Sequence, residues 1–204
     1  MPSLLKERSD VAEEFLASPY VYDFYRFEGN AQSLRIVSKL HDFKGEFDGL
    51  DLTAATLNTI LKYTYPSSHK KTEEIASKKV GYFFAEEKAF KTITEITGAG
   101  TSRHPLTFIL EAADDIAYLV ADMEDAIGKG VISFRDVREF LLENLSTDAY
   151  SAPHSVYTRE VLTTIDEKVF SVNRFFVDLR DKLIDGARHN FVNHYDEIMA
   201  GTFN

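Results

Sequence analysis

Glu111-Ala112-Ala113-Asp114-Asp115-Ile116-Ala117-Tyr118-Leu119-Val120-Ala121-Asp122-Met123-Glu124-Asp125 is the stretch on which the reading of this chain turns. At about 100° per residue, a helix drawn through it gathers Glu111, Asp114, Asp115, Tyr118, Asp122 and Asp125 within roughly a third of its circumference. Phe108, Ile109, Ala113, Ile116, Leu119, Val120, Met123 and Ile127 fill much of the remaining arc, the pattern of a helix packed against a core. Pro105 suits the first turn, where its missing N–H costs nothing, and Gly128 and Gly130 end the helix. Like charges three and four residues apart destabilise a helix by about 0.2–0.5 kcal/mol per pair. Yet no Lys or Arg stands between Arg103 and Lys129. Two readings are open: a solvated acidic face, or carboxylates turned into a cleft that holds a divalent metal or a cationic group.

On either side of this stretch the same periodicity dominates, and strand-like alternation is nearly absent. Gln32 to Leu40 reads as a helix through Leu34, Ile36, Val37 and Leu40. Asp51-Leu52-Thr53 offers short polar side chains to cap a helix from Ala54 to Tyr63, which Pro66-Ser67-Ser68 ends. A short helix is expected from Glu86 to Ile96, closed by Gly98 and Gly100. Ser133 is an N-cap for a helix from Phe134 to Leu145. The polar, basic segment 69–79 and the Ser-, Thr- and Asn-rich segment 144–158 read as loops. After Val161 come two amphipathic segments, one through Phe170, Phe175, Phe176, Leu179 and Leu183, the other through Phe191, Tyr195 and Ile198. With no repeat or domain linker, the expectation is an all-α chain forming a single helical domain over 1–204.

Composition narrows the function classes. At 204 residues and 44% hydrophobic the chain can build a core. Lys+Arg of 23 against Asp+Glu of 33 give a net charge of −10, which argues against a surface built to coat nucleic acid. The absence of cysteine excludes disulfides, thiolate metal sites and cysteine nucleophiles. No apolar run has signal-peptide or membrane-span length, so a cytoplasmic protein without membrane contact is expected.

None of the six histidines is spaced as a metal-binding helix pair, His189 and His194 being five apart. His41-Asp42 follows an apolar helix and reads as a helix exit. No phosphate loop, nucleophile elbow or dinucleotide fingerprint is present. The bland reading of Lys62 is a lysine favoured by the dipole at a helix C-terminus. His69, Lys70, Lys71, Lys78 and Lys79 read as a solvated loop with the alternative of touching phosphates, and Arg103-His104 precedes a helix N-terminus, a natural anion-binding end.

Several strings taken together resemble the bacterial deoxyguanosine triphosphate triphosphohydrolases of the HD-domain superfamily. These are Phe27-Glu28-Gly29-Asn30-Ala31-Gln32, Gly49-Leu50-Asp51-Leu52-Thr53, Leu61-Lys62-Tyr63, Gly81 to Phe90, and Arg103-His104-Pro105-Leu106 running into Glu111 to Tyr118. Ala200-Gly201-Thr202-Phe203-Asn204 is similar to a further family segment. The resemblance implies an all-α, HD-domain-like phosphohydrolase in which Mg or Mn is held by an upstream His, a His-Asp pair and a final Asp. Asp114 matches that final Asp. Tyr118 and Asp122 match residues that hold the nucleoside sugar, Lys62 and Tyr63 match a pair near the triphosphate, and Asn30 matches a residue facing the same cleft. The implied reaction is attack of water on the α-phosphorus of dGTP or another dNTP, releasing a deoxynucleoside and inorganic triphosphate.

No histidine precedes Phe27, and His41-Asp42 falls out of the family's order. The resemblance therefore implies the middle portion of the enzyme, incomplete at both ends, with no catalytic residue identifiable and no activity by itself. It also implies a homo-oligomer and a possible single-stranded DNA effector. The alternative is a non-catalytic all-α interaction or assembly module.

Overall fold

The computed structural model describes residues 9–41, 49–69, 72–145, 153–164 and 171–203, with the backbone alone at 9–11, 153–157 and 164. Among these residues the regular structure is helical throughout, and the one β-bridge joins Pro66 to Tyr82. The helices are α1 (Ser9–Ala17), α2 (Val21–Tyr25), α3 (Gly29–Arg35), α4 (Ala54–Thr59), α5 (Glu87–Thr97), α6 (Pro105–Gly128), α7 (Phe134–Asn144), α8 (Pro153–Thr164), α9 (Val172–Asn193) and α10 (Tyr195–Met199). Two compact units divide the chain: residues 1–108 with 196–204, and residues 109–195.

The core of the first unit is built on Leu34, Leu61, Tyr82, Phe90 and Ile93, with the Tyr82 and Phe90 rings stacked 4.1 Å apart. Ala31, Val80 and Phe83 form a second buried group. α3 widens into a π turn over Ile36–Leu40, closed by the His41 N–H donating to the Ile36 carbonyl at 2.8 Å. α4 starts where expected, with the Thr53 hydroxyl accepting from the Thr56 N–H. It stops at Thr59, four residues short of Tyr63, because the backbone beyond Leu61 bonds to residues 76–82 instead of to itself. α5 ends at Gly98, whose φ of 71° is the left-handed conformation that closes a helix at least cost in glycine.

Two features fix the turn before α5. Asp23 of α2 accepts hydrogen bonds from the N–H groups of Phe84 at 2.6 Å and Ala85 at 3.1 Å, and from the Ser67 hydroxyl. Glu86, only 2% exposed, is gripped by Arg35 and by Lys39. The closing residues of the chain return to this unit. Ser102 Oγ donates to the Gly201 carbonyl at 3.3 Å, and Phe203 packs edge-on to Phe108 with ring centres 5.5 Å apart.

The second unit has its own core of Val120, Leu162, Phe175, Phe176 and Leu179, against which Met123, Ile127, Phe134 and Leu183 pack. A reciprocal capping box between Ser133 and Asp136 starts α7. The segment 144–158, expected as a loop, is helical from Pro153 onward. Proline is preorganised for a first helical turn, and beyond it Leu162 carries the helix into the core. The first amphipathic segment expected after Val161, together with Phe191, lies on the single helix α9, with Phe170 outside the described residues; Tyr195 and Ile198 lie on α10. Among the described residues no helix is long and apolar enough to cross a membrane.

Candidate functional site

In the first unit, Asn30 sits half-buried on α3 and its Nδ2 donates to Glu28 Oε1 at 3.1 Å. Lys62 and Tyr63, both half-buried, lie beyond the end of α4, so the helix-dipole reading of Lys62 is corrected: irregular backbone places it. That backbone is held by a mesh. The Thr64 N–H donates to the Ala76 carbonyl at 3.0 Å, the Gly81 N–H to the Tyr65 carbonyl at 2.9 Å, and the Ser67 N–H to the Tyr82 carbonyl at 3.0 Å. The Thr64 hydroxyl also donates to the Thr101 carbonyl at 2.6 Å.

The same mesh brings in a residue that the sequence left in a loop. The Lys79 ammonium lies 5.9 Å from the centre of the Tyr63 ring, within cation–π range. The segment 69–79 is not uniformly exposed, since Ile75–Ser77 form a 3₁₀ turn and Ser77 is buried. Lys70 and Lys71 lie outside the described residues, as does Asp42 of the His-Asp pair. Lys79 lies sixteen positions after Tyr63, and no local pattern in the sequence joins the two.

Arg103 and His104 have structural partners. Arg103 is buried, its guanidinium 4.5 Å from the centre of the Phe108 ring. His104 Nδ1 accepts the Leu106 N–H at 3.3 Å and so caps α6. Burial pushes the His104 pKa below its ordinary value, which keeps the ring neutral and able to accept. The N-terminus of α6 is thus served by the chain's own imidazole.

In the second unit, Asp114, Tyr118 and Asp122 follow one another along α6 at a rise of about 6 Å each. Asp114 is half-buried, Tyr118 is 67% exposed, and Asp122 is exposed. The acidic helix finds cations that its own sequence lacks. Asp125 pairs with Lys129 at 2.7 Å, and Glu124 with Arg180 of α9 at 3.2 Å. A hydrogen bond and charge from Asp125, with a further contribution from Asp122, raise the Lys129 pKa. The arc expected to be apolar is buried only in part: Val120 is enclosed, whereas Ile109 and Leu119 are exposed.

Among the described residues no three His, Asp or Glu side chains gather where they could hold a metal ion. The residues placed here do not by themselves fit a Mg or Mn centre, and Asp114 stands as a single candidate carboxylate. Two concavities add to the picture. One of about 510 Å³ in the first unit is lined by Phe15, Tyr20, Asp23, Phe27, Arg35 and Phe83. Its two charged groups are already committed to Phe84, Ala85 and Glu86. The other, about 550 Å³ and apolar, lies in the second unit between Leu119, Phe140 and Leu183.

Fold and sequence together define an all-α protein of the HD-like class. Over nearly all of its length the chain is similar to proteins named as deoxyguanosinetriphosphate triphosphohydrolases or as like them. It is 42% identical over 194 residues to the deoxyguanosinetriphosphate triphosphohydrolase-like protein of Listeria monocytogenes, an alignment covering 94% of this chain and 42% of the relative. It is 33% identical over 202 residues to a probable deoxyguanosinetriphosphate triphosphohydrolase of Pseudomonas aeruginosa, covering 88% of this chain and 39% of that protein. To the deoxyguanosinetriphosphate triphosphohydrolase of Yersinia pseudotuberculosis it is 31% identical over 217 residues, covering 98% and 41% respectively. The chain thus spans about two fifths of the length of these relatives. No family model matches it.

Proposed function

We propose that this chain carries part of the nucleotide pocket of a dNTP triphosphohydrolase, with dGTP as the first substrate to test. The observation that carries the reading is the identity to proteins named for that activity over nearly the whole chain. In the proposed pocket Lys62 and Lys79 supply positive charge to the triphosphate, and the Tyr63 hydroxyl donates to a phosphate oxygen. Asn30 offers an amide to the same ligand. In the second unit, taken by itself, Tyr118 and Asp122 are proposed to contact a deoxyribose, Asp122 accepting from a sugar hydroxyl, and Asp114 is proposed as one carboxylate of a metal set. In the reaction, water adds its oxygen to the α-phosphorus, the bond to the 5′ oxygen breaks, and that oxygen leaves protonated as the deoxynucleoside. A Mg or Mn ion, to which Asp114 would offer one carboxylate, would supply charge neutralisation. Its remaining donors are not among the residues that gather here, so the chain by itself is proposed to release no triphosphate. The proposed setting is the cytoplasm, with self-association into a homo-oligomer and single-stranded DNA as a candidate effector.

Calorimetric titration of dGTP into the pure chain with Mg or Mn, alongside mass by light scattering, tests the reading. Saturable binding that weakens in Lys62→Ala and Tyr118→Phe is expected. A second reading, a non-catalytic assembly module, draws support from the exposed rings of Phe24, Tyr25 and Phe27. Stable oligomers without nucleotide heat would favour it.

A further inference from the structure

The mesh that holds Lys62 and Tyr63 has a point of closest approach at Gly81. A Cβ built on Gly81 would lie 1.9 Å from the Tyr63 carbonyl oxygen, 2.4 Å from its carbon and 3.0 Å from the Thr64 nitrogen. All of these neighbours are backbone, so no side-chain rotamer relieves the clash. Nor is the glycine explained by chain direction, because Gly81 is not among the positive-φ residues. Only the missing side chain fits. Its N–H, meanwhile, donates to the Tyr65 carbonyl at 2.9 Å, one residue past the crowded peptide, and Lys79, two residues earlier, reaches the Tyr63 ring.

We infer that Gly81 is a positioning residue for polyphosphate binding: by letting its backbone touch the Tyr63 peptide, it sets Lys62, Tyr63 and Lys79 at the spacing that an inorganic or nucleoside triphosphate requires. The inference rests on the proposed nucleotide pocket. It goes further in assigning a role to a residue that touches no ligand. A methyl group at position 81 must push the 62–65 backbone away from 79–82, and a displacement on the scale of an ångström is enough to spoil a multidentate anion site.

The test uses the 204-residue chain and two probes, inorganic tripolyphosphate and deoxyguanosine, titrated by calorimetry into wild type and Gly81→Ala, with circular dichroism to confirm helix content. The expected result is a loss of about tenfold or more in tripolyphosphate affinity with deoxyguanosine affinity unchanged, a split that general destabilisation would not produce. Equal tripolyphosphate affinity in the two proteins overturns the inference and leaves the pocket reading intact. Wild type that binds no tripolyphosphate overturns the pocket reading and the inference with it. If Gly81→Ala does not fold, tripolyphosphate titration of the wild type followed by amide resonances takes its place. Shifts at Tyr63, Thr64 and Gly81 that saturate with binding support the inference, and binding that leaves the Gly81 resonance unmoved overturns it.

Discussion

The Arg35 guanidinium meets the Glu86 carboxylate edge to edge, Nε to Oε1 at 3.1 Å and Nη2 to Oε2 at 2.8 Å, across 51 residues of sequence. Glu86 is buried, and the Arg35 guanidinium also lies 4.3 Å from the centre of the Phe83 ring. Removing Arg35 leaves a buried carboxylate with Lys39 as its remaining cation. Arg35→Ala is expected to lower stability by about 3 kcal/mol, read from urea unfolding. The double variant Arg35→Met, Glu86→Met should recover most of that loss, because no charge is then stranded.

A pH effect is expected from His104. Its pKa is lowered in the fold by burial, so the folded state prefers the neutral ring that accepts the Leu106 N–H. The unfolded chain takes up the proton near the ordinary value of about 6.5. The stability contributed by this residue is therefore complete above that pH and is lost as pH falls towards the folded pKa. Denaturation at a series of pH values should show this slope in the wild type and not in His104→Asn, and the His104 resonance should titrate below that of a free histidine.

At the start of α7, Ser133 accepts the Asp136 N–H at 3.2 Å, while Asp136 Oδ2 accepts the Ser133 N–H at 2.9 Å. Ser133→Ala removes the cap and should cost about 1 kcal/mol. The hydrogen bonds from Ser133 also hold the Asp136 pKa below the ordinary carboxylate range. This contribution is present above the unfolded pKa and disappears as pH falls through the folded one, so the difference between variant and wild type should shrink in acid.

Lys78 and Lys79 are neighbours on the same exposed segment, yet Lys79 reaches the Tyr63 ring. Lys79→Ala should weaken tripolyphosphate binding by about tenfold, the scale of one charge-assisted hydrogen bond, whereas Lys78→Ala should leave it nearly unchanged. Equal losses in the two variants would mean that diffuse charge, not placement, governs the site.

Local signals were readable in the sequence, and long-range ones were not. The 24-residue helix α6 from Pro105 to Gly128 and the Ser133 cap follow from periodicity and capping chemistry, both of which act within a few residues. The segment after Leu61 misled because its hydrogen bonds go to residues 76–82, a partner that no local pattern announces. Helix α8 was hidden by polar composition around Pro153, the residue that starts it. Among the candidate residues, Asn30, Lys62, Tyr63, Asp114, Tyr118 and Asp122 come from resemblance and Lys79 from a basic cluster with phosphate contact as its alternative, whereas the pairing of Lys79 with the Tyr63 ring required the fold. Arg180, which pairs with Glu124 across 56 residues, was equally out of reach.

The return of residues 196–204 to the first unit sets an order of events during synthesis. Residues 109–195 form an uninterrupted stretch and leave the ribosome before the last contributors to residues 1–108, namely Ile198, Gly201 and Phe203. The part made first is therefore the part completed last. A chain truncated after residue 195 and released should hold a protease-resistant second unit, while Phe108 and Ser102 lack their closing segment.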